Sequence, residues 1–89
     1  MPYFLPATVT LKNASQIEAD GLANWANLNE IDCLNLNQFD SSLLAILLNW
    51  RKKRLADQGY FLVLNAPPKL AVLARVYGVA ELLGLPAWR

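Results

Sequence analysis

The sequence contains no histidine, one cysteine and four glycines in 89 residues. Without histidine it lacks the side chain most often used as a general base near neutral pH. The lone cysteine, Cys33, excludes a disulfide framework within one chain. Set in an apolar stretch, it reads as a small hydrophobe. The glycines never take the spacing of a phosphate-binding loop. Charge is scarce as well, at 17% of residues. The carboxylates Asp32, Asp40, Asp57 and Glu81 are scattered along the chain, and no two share an obvious helical face. A metal site needs ligands that are missing. These absences argue against an enzyme: no catalytic residue, metal or cofactor is expected.

Charge of one sign is also lacking. Eight lysines and arginines stand against seven acids, for a net charge of +1. A nucleic-acid binder is normally basic on one face. The one dense run, Arg51-Lys52-Lys53-Arg54, points in several directions around a helix and reads as a solvated helix end. Long apolar runs are absent too. The strongest, Leu43 to Leu48, falls far short of the ~20 residues of a membrane span. The start, Met1 to Pro6, has neither the basic flank nor the apolar stretch of a signal peptide. A soluble, cytoplasmic protein is expected.

What is abundant is apolar content, at 55% against the usual ~45–50%. A chain of this length buries only roughly 60–65% of its unfolded surface and supports one core. With no repeat or linker, residues 1–89 are expected to form one domain.

Thr8-Val9-Thr10-Leu11 alternates and is β-branched, as in a strand. Asn13 suits a turn, and Ser15 with Glu18 matches a capping box opening a helix from Gln16 to Trp25. Glu30 to Leu34 reads as a short strand. Asn35 to Phe39 reads as a loop with Leu36 and Phe39 turned inward. Asp40-Ser41-Ser42 is a helix start signal, predicting a second helix from Ser42 to Asp57 that stops at Gly59. Tyr60 to Leu64 is a continuous apolar run, expected to be a strand buried on both faces. Pro67-Pro68 opens a third helix with Leu70, Leu73, Ala74 and Tyr77 as its stripe and Gly78 just past its end. Val79 to Leu83 is a candidate last element. Strands alternating with helices predict an α/β fold, parallel across each helical crossover.

At this point the ordered motifs resemble a known family. Ile31-Asp32-Cys33, then Leu36, then Phe39-Asp40-Ser41-Ser42-Leu43-Leu44 is similar to the signature of STAS domains. There a short strand containing an aspartate leads to an Asp-Ser/Thr helix start. Gly59 to Leu64 resembles the family's next strand. Pro68 to Val79, with its Tyr77-Gly78 turn, resembles the following helix and favours the MlaB-like branch. The resemblance implies a mixed β-sheet flanked by helices and a non-enzymatic interaction module. It further implies that the partner is the ATPase subunit of a phospholipid-transporting ABC transporter that maintains outer-membrane lipid asymmetry. Membrane contact would then be indirect, at the cytoplasmic side of the inner membrane. Ser41 falls where antagonist members of the family are phosphorylated, so an anti-sigma-factor antagonist switched at Ser41 is the alternative. Leu43 stands where the family usually has glycine; a bulky group there hinders a kinase cleft and suits an apolar docking face.

Helical periodicity adds an expectation of its own. At 100° per residue, Leu44, Leu47, Leu48 and Leu55 cluster on one side of the second helix, taken as the core face. Leu43, Ile46 and Trp50 cluster on another. Tryptophan is an anchor residue of interfaces, so a partner-binding face of Asp40, Ser41, Ser42, Leu43, Ile46 and Trp50 is expected, rimmed by Lys53 and Asp57. Such a stripe, if exposed, also predicts self-association of the isolated chain. Asp40 and Ser41 have the plainer role of capping the helix. Trp88 in the tail either folds back or makes a second contact.

Overall fold

A computed structural model of the chain describes residues 1–85. Trp88 lies outside the described residues. The elements in chain order are β1 (Tyr3–Phe4), β2 (Thr8–Val9), α1 (Ala14–Ala23), β3 (Glu30–Asp32), β4 (Gln38–Phe39), α2 (Ser42–Ala56), β5 (Leu62–Leu64) and α3 (Pro68–Val76). A 3-10 turn, Trp25–Asn27, follows α1.

The strands form a three-stranded sheet in the order β1-β3-β5 and a separate pair, β2-β4. The α/β arrangement is the expected one. Where a mixed sheet was expected, every ladder among the described residues is parallel. The strands that pair are separated by long stretches, residues 5–29, 10–37 and 33–61, each containing a helix, which is what parallel pairing requires. In register, Tyr3, Ile31 and Val63 form one row across the sheet. Tyr3 and Ile31 are buried, and Val63 packs against the same core.

Several local expectations are corrected. The first residues, to which no element was assigned from the sequence, include Tyr3–Phe4, the β1 edge of the sheet. The loop expected at Asn35–Phe39 contains β4, although Leu36 is buried as foreseen. The Ser15–Glu18 capping box does not form, because α1 begins earlier, at Ala14. Asn13 closes the preceding turn instead. Its Oδ1 accepts from the Thr10 amide at 2.8 Å, and its Nδ2 donates to the Thr8 carbonyl at 2.8 Å. Glu18 accepts a hydrogen bond from Asn49 of α2. β5 is not buried on both faces; it is an edge strand, and Leu62 is 49% exposed.

The helix ends follow backbone chemistry. Gly78 has φ +72°. It sits in a Schellman turn in which Val79 donates to Ala74 and Gly78 to Arg75, as the Tyr77-Gly78 step predicted. At the end of α2 the same turn is made with Gln58, not Gly59, in the left-handed position, at φ +61°. Gly59 donates to Arg54 and Gln58 to Leu55. A Cβ on Gln58 strains that conformation. We expect Gln58→Gly to raise stability by about 0.5 kcal/mol, the strain relieved less the entropy glycine loses. Urea denaturation of the two chains checks this.

α2 is buried on two sides, and this overturns its expected division into core and partner faces. Leu43, Leu47 and Trp50 are fully buried and Ile46 nearly so, whereas Leu55, assigned to the core, is 44% exposed. Trp50 lies between β1 and α1. Its ring meets Tyr3 edge-on at 5.5 Å, and its Nε1 donates to the Glu18 carbonyl at 3.3 Å. An α-helix that is apolar most of the way round is a buried one. Its C-terminal turn is anchored by Arg54, which is 8% exposed. Arg54 stacks on Trp25 at 4.5 Å and donates to Asn29 Oδ1 and to the Trp25 carbonyl. The basic run is therefore not uniformly solvated: Lys52 and Lys53 are exposed, but Arg54 joins three segments.

Candidate functional site

The start of α2 is built by Asp40. Its Oδ1 accepts from the Ser42 amide at 2.9 Å and from the Ser42 hydroxyl. Its Oδ2 accepts from the Leu11 amide at 3.0 Å. One carboxylate thus satisfies an orphan amide of the helix and ties the β2–α1 loop to the helix start. These bonds, from the Ser42 hydroxyl first and then the Leu11 and Ser42 amides, hold the Asp40 carboxyl below its ordinary pKa. The charged form is the one stabilised, so its contribution is present above the ordinary aspartate range and is lost as pH falls through the lowered value. We expect the stability of the wild type to fall below about pH 4 more steeply than that of Asp40→Asn. Thermal melts of both chains from pH 7 to pH 2 test this; parallel curves count against it.

With Asp40 as the cap, Ser41 is left free of that task. It is exposed, and its side chain makes no capping bond. Ser41 lines an open groove of about 360 Å³ with Phe39, Asp40, Lys69, Val72, Leu73, Val76 and Tyr77. Val72 is 47% exposed, Val76 71% and Tyr77 58%. A second hollow, lined by Thr8, Thr10, Leu11, Lys12 and Gln38, meets the first at Asp40. Leu11 at its rim is 80% exposed.

Of the six residues expected at a partner face, Asp40 and Ser41 line this groove, and Ser42 hydrogen-bonds to Asp40 beside it. Leu43, Ile46 and Trp50 do not reach it; they are core. The second apolar stripe that the sequence suggested on α2 is found on α3. There Leu70, Ala71 and Ala74 are buried, while Val72 and Val76 face outward. Tyr77, expected in the buried stripe, also lies on the open side. A signal was present: six of the nine residues Pro68–Val76 are apolar beyond the proline, too many for one stripe.

Elsewhere the side chains have structural partners. Burial, and then the charge of Asp32, push the Cys33 thiol up to about 12, so it stays protonated. Asp32 is buried, and its Oδ1 accepts from Asn65 Nδ2 and the Leu34 amide, both at 2.9 Å. Tyr3 donates to Asp20 at 2.6 Å, and its pKa is raised by burial and by that bond. Among the described residues no group of three or more metal-ligating side chains is gathered, and no helix is long and apolar enough to cross a membrane.

The described residues form a small parallel α/β domain with an open apolar groove beside Ser41 at the start of α2. The chain belongs to the MlaB-type STAS domain family: the family model described as "Mlab, STAS domain" matches residues 6–84. Domains of this family are generally non-catalytic. No match was found among curated proteins or among solved structures.

Proposed function

We propose that this chain is a non-enzymatic subunit that binds and regulates the cytoplasmic ATPase of a phospholipid-transporting ABC transporter. In this reading it serves outer-membrane lipid asymmetry. It sits in the cytoplasm and meets the inner membrane only through the transporter. The observation that carries the reading is the groove between the start of α2 and α3. Three apolar side chains, Val72, Val76 and Tyr77, stand exposed there beside Ser41. Membership of the MlaB-type family supports an ATPase of this kind as the partner. Asp40 and Lys69 place one charge of each sign at the groove, a polar rim around an apolar centre.

The test is co-purification with the transporter ATPase. Val76→Glu places a charge in the apolar centre, and Ser41→Arg places bulk at the helix start. Each is expected to lower the yield of complex at least about tenfold, a loss of ~1.4 kcal/mol, with far-UV circular dichroism unchanged. Undiminished yield in both folded variants sinks the reading.

One observation favours a second reading. Ser41 has an exposed hydroxyl with no capping bond, as a phosphorylation site requires. Under that reading the chain is an anti-sigma-factor antagonist. Incubation with ATP and candidate serine kinases, read by intact mass, separates the two. A single added phosphate that Ser41→Ala prevents favours the switch.

A further inference from the structure

The two edges of the three-stranded sheet are finished differently. β1 is two residues long and is bracketed by Pro2 and Pro6. Proline has no amide to offer an incoming strand, so this edge is blunted. β5 carries no such protection. From Gly59 to Ala66 there is no charged residue and no proline. Its inner hydrogen bonds are fixed by Leu62, which donates to the Asn29 carbonyl at 2.8 Å, and by Leu64, whose carbonyl accepts from Cys33 at 2.8 Å. Backbone groups alternate in direction along a strand. The amide and carbonyl of Val63 therefore point away from β3, out of the sheet.

We propose that β5 is the interface through which this chain pairs with a second copy of itself, antiparallel and edge to edge. The chemistry of the edge selects that occupant. A two-fold axis through Val63 lets each Val63 amide donate to the other's carbonyl, which makes the edge self-complementary. The same register sets Leu62 opposite Leu64 of the second copy, on one face of the joined sheet. Leu62 is 49% exposed and Leu64 half-buried, so both gain cover. No charged residue of the Gly59–Ala66 segment faces its own copy, and the net charge of +1 gives two chains little reason to repel. Joining the two sheets makes six strands. The pairing does not rest on the ATPase reading and uses none of its groove.

A three-residue strand buries little area, so the dimer is a weak one. Sedimentation equilibrium of the full chain is expected to show the average mass rising from 9.9 kDa toward twice that value at about 0.1–1 mM protein. Val63→Pro removes the amide that points outward, at some cost in packing because the valine side chain meets the core, and Leu62→Lys adds the charge this edge lacks. Each is expected to hold the mass at that of one chain throughout. Val76→Glu, in the α3 groove, is expected to leave the association unchanged. Circular dichroism checks that each variant is folded; if Val63→Pro does not fold, Leu62→Lys decides. A wild type that stays monomeric across the range overturns the proposal. So does association that persists in the folded edge variants or disappears in Val76→Glu.

Discussion

Replacing Trp50 with alanine is expected to cost about 3–5 kcal/mol of stability, the range for emptying a large aromatic from a packed core. The side chain is fully buried. It contacts Tyr3 edge-on and donates from its indole nitrogen to the Glu18 carbonyl. Its loss opens a void between β1, α1 and α2 at once. A domain of this size holds only about 5–15 kcal/mol in all, and each kcal/mol moves the midpoint by roughly 4–8 °C. The variant should therefore melt some tens of degrees lower or fail to fold at room temperature. Urea denaturation and a thermal melt of the isolated chain measure this with no partner present. The outcome separates two roles for Trp50. A partner anchor leaves the isolated chain's stability untouched when removed, whereas a core residue does not. A midpoint within a few degrees of the wild type would contradict the burial described above.

The contrast shows where the amino-acid sequence was legible. Helix boundaries set by backbone chemistry could be read. Asp40-Ser41-Ser42 predicted a helix from Ser42, and α2 runs Ser42–Ala56. Pro67-Pro68 and Tyr77-Gly78 bounded α3, and their amide-deficient start and left-handed end are where they were placed. The very short strands could not be read. Tyr3–Phe4 and Gln38–Phe39 contain two residues each, too few to show an alternation. They exist because a neighbouring strand pairs with them, which is a tertiary fact.

The candidate site was legible only in part, and for a related reason. Periodicity assigns angles around one helix axis; it does not count the neighbours that surround that helix. Leu43, Ile46 and Trp50 were grouped correctly on one side of α2. That side, however, is covered within the chain, with Trp50 held between β1 and α1. The outward apolar surface lies on α3, where Val72 and Val76 oppose Leu70 and Ala74. The polar end of the site was simpler to find. Asp40 and Ser41 are placed by the helix start they create, and their surroundings follow from it.

Gly21→Val is expected to destabilise the chain by about 3 kcal/mol, at the top of the range for overpacking a well-filled core. Gly21 is the one buried residue of α1. A Cβ added there would lie 2.2 Å from Cζ2 of Trp50 and 2.7 Å from its Cε2. Those atoms belong to a rigid ring held by Tyr3 and by its own hydrogen bond, so they cannot swing aside as the end of a flexible chain would. α1 and α2 must separate, or the indole must leave its pocket. Within a helix, replacing glycine is ordinarily favourable by up to ~1 kcal/mol, so a net loss here isolates the close approach from propensity. Because the two positions share one contact, their effects should not add. Trp50→Leu removes the ring that the valine would strike while keeping an apolar side chain in place. In a double-mutant cycle, Gly21→Val in the Trp50→Leu background is therefore expected to cost about 1–3 kcal/mol less than in the wild type. Strict additivity, with each change costing the same in either background, would mean that the glycine is not there to admit the tryptophan.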